Sequence, residues 1–215
     1  MRWSEQAWHS IETVYKKILE LPFLCELLEG SLPSEKFYCY LRQDAIYLST
    51  YGKLLAVIAS RLDNPAHRES FLRFSIDTIT VELALHATYL KEAPYSPDQG
   101  PSPVTTLYTG YLSTQILCNP IEVALAAALP CFWIYQKVGE HLVSQQNKSL
   151  NPYKAWIDTY SGEDFARSVE NAIRICDGAA EKSTKKEAMT QAFQYASKME
   201  WMFWNSAYHM ETWPV

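Results

Sequence analysis

The sequence is short of glycine, with seven in 215 residues, roughly half the average share. Few tight turns are expected, and neither a G-x-G-x-x-G fingerprint nor a Walker-type phosphate cradle occurs. Basic residues are outnumbered 19 to 24 by acidic ones, for a net charge of -5. Lysine and arginine are scattered, so no basic face exists to hold nucleic acid or an anionic membrane. The five cysteines, Cys25, Cys39, Cys118, Cys131 and Cys176, are odd in number and include no C-x-x-C pair. That excludes the usual zinc and redox spacings and fits free thiols in a reducing compartment. Met1-Arg-Trp-Ser-Glu-Gln has no apolar signal-peptide core. The longest run without charge or strong polarity, Val123–Tyr135, has 13 residues, too short to span a bilayer. These absences predict a cytoplasmic protein with no membrane or nucleic-acid partner.

What the chain has is apolar mass and aromatic rings: 48% hydrophobic residues, with 14 tyrosines and seven tryptophans. Its length suits one well-filled core, so residues 1–215 are expected to form a single domain. Helical periodicity recurs throughout and no alternating strand pattern appears, which predicts an all-α bundle of about eight helices. Ser4 reads as the cap of a helix to about Leu21, and Pro22 and Gly30 bracket a short piece. A long helix from Pro33-Ser34 to Leu62 follows. Asp63-Asn64-Pro65 breaks it and opens another, running to about Tyr89. Residues 93–103 are loop by composition. Ser102-Pro103, Asn119-Pro120 and Asn151-Pro152 are three helix starts, while Ser161-x-x-Asp164 and Thr184-x-x-Glu187 resemble capping boxes before the last two helices.

Chemistry-bearing residues stand out where they interrupt apolar faces. Cys131 directly follows Pro130 inside a helical pattern, at a bend that the proline imposes; it is either a small buried hydrophobe or a nucleophile. Tyr40, Asp44, Tyr47 and Tyr51 follow steps of four, three and four, so they share one helix face. Asp44 there is a structural hydrogen-bond centre or a ligand anchor. The rhythm 105, 108, 112, 115 turns Tyr108 inward, as packing or as site. Glu200 lies in Met199-Glu-Trp-Met-Phe-Trp204, where burial would raise its pKa toward neutrality. Glu82 and His86 are four apart and could hold a metal or bond to each other, whereas di-iron bundles need further inward carboxylates. His9, His67, His141 and His209 show no ligand spacing, and no metal site is expected.

Five ordered stretches together resemble the TenA, or thiaminase II, family: Gln43-Asp-Ala-Ile-Tyr47, Tyr108-Thr-Gly-Tyr-Leu112, Leu129-Pro-Cys-Phe-Trp-Ile-Tyr-Gln-Lys-Val-Gly139, Trp156-Ile-Asp-Thr-Tyr-Ser161 and Glu200-Trp-Met-Phe-Trp204. The resemblance runs from Pro22 to Trp204. It implies a haem-oxygenase-like fold without haem or other cofactor, assembled as a homotetramer. It implies hydrolysis of 4-amino-5-aminomethyl-2-methylpyrimidine to its hydroxymethyl counterpart in thiamin salvage, extending to cleavage of thiamin. Carried onto this chain, Cys131 is the nucleophile, Glu200 handles protons and Tyr108 contacts the thiol. Asp44 anchors the aminopyrimidine, and Tyr47 and Tyr160 line the pocket. Two other accounts remain open at this stage: a pyrimidine-binding or regulatory protein without turnover, and a metal-dependent oxygenase resting on Glu82 and His86.

Overall fold

The computed structural model describes residues 1–85, 89, 100–145 and 151–215, with backbone only for 81–85. Among them are nine helices and no strand. They are α1 (Trp3–Leu19), α2 (Pro22–Glu29), α3 (Ser34–Arg61), α4 (Pro65–Leu85), α5 (Pro103–Cys118), α6 (Ile121–Gln145), α7 (Lys154–Ser161), α8 (Glu163–Lys182) and α9 (Lys186–Tyr208). The all-α expectation stands, with nine helices among the described residues rather than about eight.

Sequence punctuation sets many of the boundaries. Pro22 sits in the first turn of α2, and Gly30 closes that helix at φ 73°, a left-handed position that glycine adopts without strain. The Asn64 side chain accepts from the amides of Ala66 and His67 at the start of α4. Ser102 accepts from the Thr105 amide at 3.2 Å, with Pro103 in the first turn of α5. Three cap expectations are corrected. Ser4 lies inside α1, where its amide and hydroxyl donate to Asp177 of α8, and Arg2 takes the cap position. Ser161 ends α7, leaving Gly162 as the single residue between it and α8. At α9 the Lys185 amide bonds to Ser183, so Thr184 and Glu187 form no box.

Helices α3, α6 and α9 pack together at the centre, with α4 and α5 on α3, α7 and α8 on α6, and α1 on α9. Their buried side chains form one contiguous cluster. Helix α6 corrects the span estimate, since all 25 of its residues are helical and by length and composition it could cross a membrane. Its most apolar window is 72% buried beneath the other helices, as in a core helix. Where α6 passes α7, Gly139 permits the approach: a Cβ there would meet the Tyr160 carbonyl carbon at 2.7 Å. That contact holds Tyr160 against α6 about two turns past Cys131.

Candidate active site

Helix α3 brings Asp44, Tyr47 and Tyr51 inward together, all less than 5% exposed. Helix α6 presents Cys131 opposite them, one residue past the proline that leaves Ala126 without its usual helical donor. Between α3, α4, α6, α7 and α8 lies a cavity of about 80 Å³ lined by Asp44, Tyr51, Cys131, Tyr135 and Tyr160, among others. At roughly 10–15 Å³ per water, it has room for several waters or a small flat ring. Its wall is mostly apolar and includes Phe74 of α4 and Phe165 of α8. The Tyr135 and Tyr160 rings meet at 4.9 Å between centroids, and Trp204 backs Tyr135 at 4.8 Å. Those rings offer flat apolar faces for an aromatic guest.

Behind the thiol lies a layer that does not reach the cavity wall. The Tyr108 hydroxyl donates to Glu200 Oε1 at 2.6 Å, and Glu200 is 1% exposed. Burial pushes the Glu200 carboxyl up to about 8, against the pull of the Tyr108 bond, and Asp44 adds to the rise. Tyr47 lies 4.9 Å from Tyr108 and 5.4 Å from Tyr51 between ring centroids. Its hydroxyl is buried with no hydrogen-bond partner among the described residues.

Cys131 is partly buried, with its remaining surface on the cavity. Burial pushes its thiol well above the usual range, and the Glu200 and Asp44 charges push the same way. The hydroxyls of Tyr47 and Tyr51 oppose that shift. An unliganded site therefore keeps Cys131 protonated at neutral pH, and the thiolate needs donors and a proton acceptor close by.

Cys131, Asp44 and Tyr160 thus meet at one cavity, with Glu200, Tyr108 and Tyr47 directly behind it. The inward rhythm of α5 is completed by Ile116 rather than Gln115. Tyr108 spends its hydroxyl on Glu200 rather than on the thiol. Sequence reasoning missed Tyr135, although its place four residues after Cys131 put it on the same helix face. It also missed Asp77 at the cavity, where nothing local distinguishes one carboxylate of a largely exposed helix face. Among the described residues no cluster of three metal-ligating side chains occurs. His86 and the side chain of Glu82 lie outside the described residues.

The profile described as "TENA/THI-4/PQQC family" matches residues 8–210. The chain is 30% identical to the aminopyrimidine aminohydrolase of Bacillus subtilis, over 99% of this chain and 92% of that one. It is 35% identical to the thiamine biosynthesis multifunctional protein ThiED of Corynebacterium efficiens, over 88% of this chain but only 26% of that longer protein. Among solved structures, the TenA homologue protein from P. horikoshii OT3 superposes with a TM-score of 0.88 at 28% identity, covering 97% of this chain and 99% of that one. A domain with a heme oxygenase-like fold from Shewanella denitrificans gives 0.73 at 14% identity, covering 96% and 92%, a likeness of fold alone.

Proposed function

The chain belongs to the TENA/THI-4/PQQC family, and on that premise we propose that it is a thiamin-salvage hydrolase using Cys131 as its nucleophile. Its substrate is 4-amino-5-aminomethyl-2-methylpyrimidine, and cleavage of thiamin follows the same course. The observation that carries this reading is the meeting of a cavity-facing thiol with a buried carboxyl poised near neutrality.

A neutral pyrimidine is a poor electrophile, so attack must be coupled to protonation of the ring. The Cys131 proton passes to the Glu200 carboxylate, and Glu200 delivers it to a ring nitrogen as sulfur bonds to the ring carbon conjugated with the exocyclic methylene. Charge is neutralised where it develops. The electron pair of the adduct then expels ammonia, or the thiazole of thiamin, from the methylene. Water adds there, and the thiolate leaves with recovery of aromaticity. The sum is aminomethyl plus water to hydroxymethyl plus ammonia. Asp44 accepts from the 4-amino group and fixes the ring's orientation, which selects against analogues lacking that donor. Tyr160 holds the ring, Tyr47 backs Cys131 from behind the cavity wall, and Tyr108 keeps Glu200 aimed. The same reading gives a homotetramer that requires no cofactor.

Replacing Cys131 by Ser is expected to abolish ammonia release from the aminomethylpyrimidine while binding of the hydroxymethyl product persists. Full turnover by that variant would overturn the covalent mechanism. Product binding without turnover by the unaltered protein would instead establish the non-catalytic pyrimidine-binding alternative.

A further inference from the structure

Tyr51 has no role in the chemistry above, yet its hydroxyl lies between two acceptors. It is 1% exposed and donates to the Ala128 carbonyl at 2.7 Å. Ala128 belongs to the turn of α6 that carries Pro130 and Cys131, and the Phe132 amide, four residues on, is its helical partner. The carbonyl therefore does not depend on Tyr51. The same hydroxyl lies close enough to the Cys131 sulfur to favour its anion. A phenolic hydroxyl has one proton and accepting lone pairs, and it redirects that proton by rotating about its C–O bond.

We propose that the Tyr51 hydroxyl is a rotary donor, held by Ala128 while Cys131 is a thiol and turned onto Sγ when the thiolate forms. The proposal rests on Cys131 as the nucleophile of the hydrolase. In the resting state the S–H can donate to the Tyr51 oxygen, which keeps sulfur oriented. When the thiol proton leaves for Glu200, Tyr51 turns its own proton from the carbonyl to the anion, with no heavy-atom movement. The unpartnered Tyr47 hydroxyl is the other donor available. Together they supply two charge-assisted hydrogen bonds at a site where burial opposes charge. Among the described residues, the hydroxyls of Tyr47 and Tyr51 are the ones that favour the Cys131 anion. Asp44 of α3 and Glu200 of α9 are carboxyls that repel the anion. Tyr108 of α5 is engaged by Glu200, while Tyr135 of α6 accepts from Tyr40 of α3. Tyr160 of α7 and Asp77 of α4 line the cavity, and Cys176 of α8 lies near Tyr51 as a further acidic group.

The test reads thiol ionisation directly, through the pH dependence of iodoacetamide alkylation at Cys131, followed by mass spectrometry of its peptide. In Tyr51→Phe the profile is expected to move up by about one to two pH units, the span of a hydrogen bond to a charged group. Alkylation at neutral pH then slows by tenfold or more. A profile superimposable on that of the unaltered protein overturns the proposal. Site-specific 3-fluorotyrosine at position 51, a more acidic donor in the same ring, is expected to shift the profile down; a null result there also overturns it. Retained turnover by Cys131→Ser would remove the catalytic reading and leave the alkylation result standing, so the two failures are distinguishable.

Discussion

Gln43 and Asp44 are neighbours on α3, and they belong to two buried polar clusters that are built differently. Gln43 is fully engaged: Oε1 accepts from the Ser102 amide at 2.9 Å and the Thr105 hydroxyl at 2.7 Å, while Nε2 donates to the Gly100 carbonyl at 3.3 Å. Those bonds fasten the start of α5 to α3. The cluster around Asp44 and Cys131 keeps donors in hand: Tyr47 is unpartnered, Tyr51 is spent on a carbonyl that has a helical donor, and Glu200 is held up near 8. Satisfied polar groups define the fold. Groups left partly unsatisfied in a dry setting retain interaction energy for a ligand or a charge that has yet to form.

Glu200 offers the strongest way to break this contrast. Glu200→Gln is expected to lower turnover by about 10²–10⁴, the usual worth of a positioned acid or base. Its effect on stability has the opposite sign. The folded-state pKa of about 8 lies above the ordinary 4.5, so this group's contribution is complete below pH 4.5 and is lost as pH rises through 8. At roughly 1.4 kcal/mol per unit the loss approaches about 5 kcal/mol. Melting temperature should therefore fall more steeply between about pH 5 and 8 in the unaltered protein than in Glu200→Gln. Parallel curves would mean that the carboxyl titrates normally and is not poised.

Gln43→Leu probes the other cluster. It removes the acceptor of the Ser102 amide and the Thr105 hydroxyl and the donor to the Gly100 carbonyl, costing about 2–4 kcal/mol. Urea denaturation should show that loss with turnover per folded molecule nearly unchanged; a catalytic defect without a stability defect would erase the distinction. The smallest effect is expected from Gly139→Ala. The new methyl presses on the Tyr160 backbone at a cost of about 1–3 kcal/mol. Because α7 is displaced with Tyr160, KM should rise more than kcat falls, and equal KM values would show that Tyr160 does not hold the ring.

Local chemistry made much of this legible in advance. Prolines and short polar caps placed most helix starts, because a missing N–H or a nearby side-chain oxygen acts within one turn. Steps of three and four put Asp44, Tyr47 and Tyr51 on one face of α3, and the Pro130-Cys131 bend marked the thiol. The Ser4 cap failed for a non-local reason: Asp177 claims Ser4 from 173 residues away. Asp77 gave no local signal, since α4 shows the same polar outer face with or without a cavity beneath it.

By itself the sequence determined the helical class, the order of the helices and the inward faces of α3, α5 and α6, since periodicity and backbone sterics act over a few residues. Only the tertiary structure decided which inward groups pair and which wait. It joined Tyr108 to Glu200 across 92 positions and sent the Tyr51 proton to Ala128 across 77. It also raised Glu200 and Cys131 by taking both out of water. Hydrogen-bond partners and desolvation are properties of packed neighbours, and no spacing along a chain encodes them.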